Sequence, residues 1–370
     1  MATEHGRSDG PVDVGSLRRL YDVVVHRWPS PRLVSLLDSI VAATPEDPWG
    51  HLTRARILAR SGEPGPCREL VNSLLVGTPA MAPWSAKTLE SMLLAIQLAC
   101  SDHHRIVSLG RLSDLVAARA ADESGHALGI LLARIRMALE DYDGVARILA
   151  DLECRRVDHP MVDGMADVCR RRSSPTFPAY DAPKVFCIGL SKTGTTSLNA
   201  ALGHLGLRAI HWINPYTAML VSEADLLLFD AVSDIGVSHR FEHLYATFPN
   251  ARFLYTTRGV EEWVRSISAH YLRGYGVTTP RDLLRPALLQ RYNGASGRSE
   301  ANLYARHESW EGAYAEFDRR VRHFFSDKPS ARWLEMAVCD GDGWEKLCGV
   351  LDTPVPAAPF PVRNVTVPDN

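Results

Sequence analysis

The sequence predicts an α/β domain with a parallel sheet flanked by helices, preceded by an all-α region. From residue 16 to residue 172, apolar residues recur at spacings of three and four, as in Leu17, Leu20 and Val24, which is the period of amphipathic helices. After residue 183, short apolar runs alternate with helical stretches, a pattern typical of a parallel sheet covered on both faces. The stretch 173–183 contains three prolines and no apolar period, so we predict a linker there.

Composition and charge exclude several classes of protein. A chain of 370 residues is expected to form about two domains. Its 41 Lys and Arg against 43 Asp and Glu leave a net charge of −2, so no broad basic surface attracts nucleic acid or an anionic membrane. Seven scattered cysteines without a CxxC pair favour reduced thiols over disulfides or a zinc site.

The chain also lacks the usual membrane and export signals. Residues 1–15 are polar, have no apolar signal segment and are expected to be disordered. No run of about 18 apolar residues occurs. We therefore expect a cytoplasmic protein without a membrane span.

The helical region, residues 16–172, contains a weak repeat. The pair Pro48-Trp49 recurs 35 positions later as Pro83-Trp84, and the chain between them reads as two amphipathic helices around Gly62. A period near 34 residues resembles tetratricopeptide (TPR) repeats, which stack to bury their apolar faces. An irregular helical bundle is the alternative. A TPR-like array would offer a surface for a protein partner.

Four segments of the second half are predicted strands. They are apolar and short, and they comprise residues 184–190, 208–212, 226–234 and 251–258. The last runs into a predicted helix that contains Trp263. Ligands of parallel α/β sheets bind at the carboxyl ends of the strands, so residues there are the candidates for function.

The segment Gly-Leu-Ser-Lys-Thr-Gly-Thr-Thr, residues 189–196, lies where the first strand turns into a helix. Main-chain N–H groups of such a turn, with the helix dipole, bind an anion. Nucleotide kinases place a lysine directly after the second glycine. Here Gly189 and Gly194 have the kinase spacing, but Thr195 takes that position and Lys192 lies inside the loop.

A lysine inside the loop and two threonines at the helix start resemble the 5′-phosphosulfate loop of the PAPS-dependent sulfotransferases. The resemblance implies 3′-phosphoadenosine 5′-phosphosulfate (PAPS) as donor, no metal ion, and Lys192 beside the leaving oxygen, where a cation stabilises developing charge. The donor-binding residues it implies in this loop are Ser191, Lys192, Thr193, Gly194, Thr195, Thr196 and Ser197.

A second motif agrees with this resemblance. Arg258 ends a predicted strand and Ser266 follows eight residues later in a helix, as in the sulfotransferase pair that binds the donor's 3′-phosphate. A guanidinium fork suits phosphate, and Ser268 competes for the hydroxyl role. The C-terminal segments also look like the bacterial branch of the family, so we assign residues 184–370 to this domain and Arg363 to donor binding.

Transfer to a hydroxyl or amine needs a base for the acceptor's proton. The family places it at a neighbouring strand end, where this chain has Asp234, 24 residues before Arg258. Asp234 is our first choice for the base, in a site partly closed from water, and a helix cap is its structural alternative. His239 and His211 are the alternative bases, and His307 is assigned to a helix as a packing or substrate residue.

The resulting hypothesis is a PAPS-dependent sulfotransferase that modifies a small-molecule, lipid or glycan acceptor by in-line displacement and releases adenosine 3′,5′-bisphosphate. Two alternatives stay open: a small-molecule kinase that uses ATP, and a TPR-type interaction protein with a degenerate nucleotide site. The loops expected at the acceptor are 213–225 and 272–300, of which 274–300 is long and polar enough for a mobile lid.

Overall fold

The computed structural model describes residues 48–60, 64–76, 84–100, 102–122, 126–289 and 299–363, with a few residues between 35 and 42. The predicted disordered segment 1–15 and the first predicted helices, up to residue 34, lie outside the described residues. So does the part of the predicted lid at 290–298.

Between residues 48 and 172, the described residues form seven helices, which confirms the predicted all-α region. They are α1 (Pro48–Arg60), α2 (Pro64–Val76), α3 (Ala86–Ala99), α4 (Asp102–Asp122), α5 (His126–Ala138), α6 (Tyr142–Cys154) and α7 (Pro160–Arg172). Each packs against the next, and α1 with α3 and α3 with α5 also pack together. Stacked helical pairs produce such contacts, but the TPR assignment stays a prediction.

A five-stranded parallel sheet forms the second half and confirms the predicted α/β class. Its strands are β1 (Lys184–Cys187), β2 (Ala209–His211), β3 (Ala231–Ser233), β4 (Ala251–Thr256) and β5 (Trp333–Met336). Their order is β2-β3-β1-β4-β5, and every pairing is parallel. From the central strand β1 the chain first forms β2 and β3 on one side, and then crosses to form β4 and β5 on the other. In such sheets the ligand crevice lies at the carboxyl end of the strand where the direction reverses, which here is β1.

Further helices, with bounds in the described residues, follow β1 and cover the sheet. They are α8 (Thr195–His204), α9 (Glu223–Leu228), α10 (Ile235–Ser238), α11 (Phe241–Thr247), α12 (Val260–Tyr275), α13 (Pro286–Leu289), α14 (Trp310–Phe325) and α15 (Trp344–Leu351). A π-helical turn, Ala301–Ala305, precedes α14. In the part of the chain that the structure describes, every helix is too short or too polar to cross a bilayer.

Two local predictions were wrong. Residues 226–228 were predicted as strand but end helix α9, which a reciprocal cap between Ser222 and Asp225 starts. A short buried apolar run is compatible with either a helix or a strand. Here the capping box at the start of the segment favours the helix. His307 was assigned to a helix, but it lies in the bend between the π-helical turn and α14, because Ser309 caps α14 two residues later.

Helix α5 belongs to two cores. Leu131 and Ile135 pack in the core of the first helices, whereas Ala133 and Met137 pack in the core that includes the sheet. The helical region and the sheet are therefore joined by shared packing, and the boundary predicted at 173–183 stays a prediction.

Part of the predicted lid is packed in the structure. Val277, Leu283 and Leu288 are each at most 1% exposed and belong to the core that includes the sheet. The described residues up to 289 are thus held by apolar burial rather than by loop contacts alone.

Candidate active site

The turn after β1 is held at its first glycine. A Cβ on Gly189 would lie 1.7 Å from Thr256 Oγ1 and 2.6 Å from Thr193 Oγ1, so only glycine fits. The hydroxyls of Thr193 and Thr256 share a 2.6 Å hydrogen bond, and Thr193 Oγ1 also donates to Leu190 O. The first half of the loop is therefore fixed to β4.

The second half of the loop curls into helix α8. Lys192 and Gly194 have φ values of 73° and 95°, a region that favours glycine. A Cβ on Gly194 would lie 3.0 Å from Val338 Cβ, so the turn after β5 lies against the loop here. Thr195 begins α8, whose first N–H groups have no intrahelical acceptors and form an anion site.

Two aromatic side chains hold the peptide groups of Ser191. Trp263 Nε1 donates to Ser191 O over 2.8 Å, and Ser191 N donates to the Tyr304 hydroxyl over 3.2 Å. Burial raises the pKa of Tyr304, so this hydroxyl stays protonated. Sequence reasoning missed both residues, because each lies far along the chain and only the fold brings it to the loop.

Lys192 is half-buried at the centre of this turn. Burial lowers its pKa from the usual lysine value, and the nearby guanidinium groups of Arg258 and Arg273 lower it further. The same cations attract a polyanion, and a bound phosphate or sulfate group would favour the charged form of Lys192.

Arg258 follows β4 and reaches the loop. Its Nη1 donates to Lys192 O over 3.3 Å, and its own main-chain N and O bond the Tyr314 hydroxyl at 3.1 and 2.7 Å. Its Nε forms only a 3.9 Å ion pair with Glu262. Within the described residues, Arg258 Nε and Ser266 Oγ are buried without a hydrogen-bond partner, and such orphaned groups call for a ligand or a water.

The C-terminal segment returns to the start of α8, beside the loop. Arg363 N donates to Ser197 Oγ over 3.0 Å, and Ser197 Oγ donates to Arg363 O over 3.5 Å. Both predicted donor-site residues therefore touch each other, although the Arg363 side chain is exposed.

Asp234 and His211, two of the three predicted bases, lie together. Asp234 Oδ2 is 3.6 Å from His211 Nε2, and Asp234 Oδ1 accepts from Ser191 Oγ over 3.1 Å. His211 Nε2 also lies 3.1 and 3.3 Å from the hydroxyls of Thr195 and Thr196. One polar network thus joins the ends of β2 and β3 to the loop.

Asp234 lies at the N-cap position of α10 but does not cap the helix through its side chain. Its φ is 84°, and its side chain makes no capping hydrogen bond to α10. The side chain is only 9% exposed. Strained backbone at a buried carboxylate is typical of functional sites.

His239, the third predicted base, is placed elsewhere. Its Nδ1 lies 2.9 Å from Ile235 O, and burial lowers its pKa. Its ring lines a cavity that contains none of the loop residues. The structure therefore does not bring His239 to the phosphate loop.

The helical region holds the loop that follows His211. Gln97 Nε2 of α3 donates to Thr217 O, and Arg134 Nε of α5 donates to Tyr216 O, each over 3.0 Å. Tyr216 also packs closely on Gly164 of α7. The first predicted acceptor loop is thus fixed by three helices of the other half.

Comparison with known proteins gives the class, that of the sulfotransferases. A family model described as a sulfotransferase domain matches residues 184–227 and 223–367, which include the loop, Asp234 and Arg258. The chain belongs to this family. A curated relative, Ava biosynthesis cluster protein M of Aspergillus versicolor, is 27% identical over 211 residues, covering 48% of this chain and 79% of the relative.

Proposed function

We propose that this sulfotransferase uses PAPS as donor and transfers its sulfuryl group to a hydroxyl or amine of a small-molecule, lipid or glycan acceptor, releasing adenosine 3′,5′-bisphosphate. One observation carries the choice of donor. The orphaned groups Arg258 Nε and Ser266 Oγ belong to the side chains that the second motif assigns to a 3′-phosphate.

The residues present fit this donor. The loop amides and the hydroxyls of Thr195 and Thr196 would hold the 5′-phosphate, and Arg258 with Ser266 would hold the 3′-phosphate. A nucleotide with only a 5′-phosphate chain leaves the second pair without a ligand, which supports PAPS over ATP. When bound, PAPS supplies an activated sulfuryl group.

Lys192 supports the departure of the leaving group in this proposal. Lys192 belongs to the loop that would hold the 5′-phosphate, and its pKa is lowered by burial and by neighbouring cations. Negative charge that develops on the bridging oxygen would be stabilised by this ammonium without reorganisation.

The acceptor's proton goes to the pair formed by Asp234 and His211. We assign the base to Asp234, whose Oδ2 faces His211 and whose Oδ1 is occupied by Ser191. His211 then orients Asp234 and the loop hydroxyls. Asp234→Asn and His211→Gln separate the roles, because loss of the base should abolish turnover, whereas loss of the orienting imidazole should leave a reduced turnover.

Two loops border the acceptor side in this proposal. The first begins after His211 and is held by Gln97 and Arg134. The second includes the residues after α12. A fixed first loop favours an acceptor of defined shape.

The test is a titration of the full chain with adenosine 3′,5′-bisphosphate and, separately, with ATP and Mg²⁺. We expect tight, metal-independent binding of the bisphosphate and weak binding of ATP. Preference for ATP with Mg²⁺ would support a kinase, and no binding of either would support an interaction protein. Transfer of label from radioactive PAPS to a cell extract would then identify the acceptor.

A further inference from the structure

A cavity separate from the phosphate loop lies beside the π-helical turn Ala301–Ala305, the turn whose Tyr304 contacts that loop. It has a volume of about 800 Å³ and lies between the end of α10, the π-helical turn Ala301–Ala305 and the outer face of α14. Small-molecule sites usually have volumes of about 300–1,000 Å³. None of the loop residues lines this cavity, so it is distinct from the donor site.

The cavity is lined mainly by cationic and hydrogen-bonding groups. Three guanidinium groups face one carboxylate, that of Glu316. Arg319 is paired with Glu316 through hydrogen bonds of 2.9 and 2.6 Å. This pair is neutral, and Arg320 is paired with Glu242, so the excess positive charge of the cavity comes from Arg306.

Arg320 is held in place before any ligand binds. Its Nε donates to Glu242 Oε1 over 2.6 Å, and its guanidinium lies 4.9 Å from the centre of the Phe241 ring. Glu242 is not among the residues that line the cavity. A fixed guanidinium loses little side-chain entropy on binding an anion.

Three neighbouring polar groups on the other wall are unused. Asn302 and Arg306 are four residues apart, a spacing that places them on one side of a helical turn, and His307 follows. Among the residues with described positions, their side chains make no hydrogen bond or ion pair, yet all three line the cavity. An amide, a guanidinium fork and an imidazole together suit an oxyanion.

We propose that this cavity binds a small molecule through a carboxylate, sulfate or phosphate group, with Arg306 as the principal ligand and Asn302, His307 and Arg320 around it. The oxyanion takes the two parallel N–H groups of Arg306, and the rest of the molecule occupies the space above Ala315. Tyr304, between Asn302 and Arg306, does not line this cavity and instead accepts a hydrogen bond from Ser191 N. The same short turn therefore forms one wall of each anion site.

Calorimetric titration of the full chain with sodium sulfate, inorganic phosphate and citrate tests this proposal. The variants are Arg306→Ala, Lys192→Ala and the control Arg147→Ala, an exposed arginine on α6. We expect Arg306→Ala to weaken one class of anion site about 10- to 100-fold, the cost of losing a charged hydrogen-bond pair. Lys192→Ala and Arg147→Ala should leave that class unchanged.

The three probes identify which oxyanion the cavity prefers, and Arg306→Lys, which keeps the charge but loses the fork, should bind with intermediate affinity. Identical isotherms for the wild type and Arg306→Ala with all three probes would overturn the proposal. Equal losses in Arg306→Ala and Arg147→Ala would overturn it too, because they would reflect total charge alone. Because Lys192→Ala is tested separately, a failure of the donor-site assignment does not affect this outcome.

Discussion

Arg258 donates a hydrogen bond from Nη1 to the main-chain oxygen of Lys192, over 3.3 Å and across 66 residues of sequence. The bond joins the end of β4 to the loop after β1, the two places that the sequence assigned to one phosphate-bearing ligand. One edge of the guanidinium is thus fixed to the loop, while its Nε has no hydrogen-bond partner among the described residues.

Ser266→Ala should separate binding from folding. The Ser266 hydroxyl is buried without a partner among the described residues, so its loss should leave the free energy of unfolding unchanged or slightly raised. If the hydroxyl binds the 3′-phosphate, affinity for adenosine 3′,5′-bisphosphate should fall about 10- to 100-fold. Calorimetry and urea denaturation measure the two quantities. Ser268→Ala is the matched control, and an equal loss of affinity in both variants would contradict the assignment.

Lys192→Ala should reduce turnover with PAPS about 10²- to 10³-fold, as expected when a group that stabilises developing charge is removed. Burial of the Lys192 ammonium costs free energy, as its lowered pKa indicates. Its removal should therefore not lower the melting temperature. A steady-state assay with PAPS and a thermal melt provide both values. Lys87→Ala, at an exposed site on α3, serves as control, and near-normal turnover of the Lys192 variant would refute the role.

Gly189→Ala should destabilise the protein by about 1–3 kcal/mol, the usual cost of overpacking. Its Cβ would lie 1.7 Å from Thr256 Oγ1, whereas a Cβ on Gly203, near the end of α8, meets nothing within 4 Å. Gly203→Ala should therefore stabilise by about 0.5–1 kcal/mol through helix propensity. Urea denaturation compares the two, and equal effects would mean that the loop is not clamped to β4.

Arg134→Met should loosen the loop between β2 and α9. Arg134 donates to Tyr216 O and is only 12% exposed, so its loss frees a carbonyl that the helical region holds. We expect faster hydrogen exchange in residues 212–221 with the sheet unchanged. Arg136→Met, on the same helix but paired locally with Asp141, should leave that exchange unaltered. Unchanged protection in both variants would show that the helical region does not hold this loop.

The parts of the site predicted from sequence are the local ones. The phosphate loop is a single strand-turn-helix segment, so the spacing of Gly189, Lys192 and Gly194 carries its geometry. Arg258 and Ser266 likewise lie within one strand-helix unit. Trp263 and Tyr304 escaped prediction, because their role depends on the tertiary packing that brings two distant aromatic side chains to Ser191.

The fold class was predicted correctly, but the type of some individual elements was not, because their local sequence pattern is ambiguous. Residues 226–228 end helix α9 and are mostly buried, and the composition of such a short apolar run does not distinguish helix from strand. Strand β5 was missed because it is a short edge strand with only Met336 fully buried. Asp234 and His211 were predicted as alternative bases, and the parallel pairing of β2 with β3 brings them together. The position of His239, at the C-terminus of α10, was not predicted.

The most direct test of the donor assignment is the crystal structure of the chain with adenosine 3′,5′-bisphosphate. The account predicts the 5′-phosphate on the main-chain amides of residues 194–197, at the start of α8, and the 3′-phosphate within hydrogen-bond distance of Arg258 Nε and Ser266 Oγ. A bisphosphate bound elsewhere, or a 3′-phosphate that leaves these two groups without contact, would contradict it.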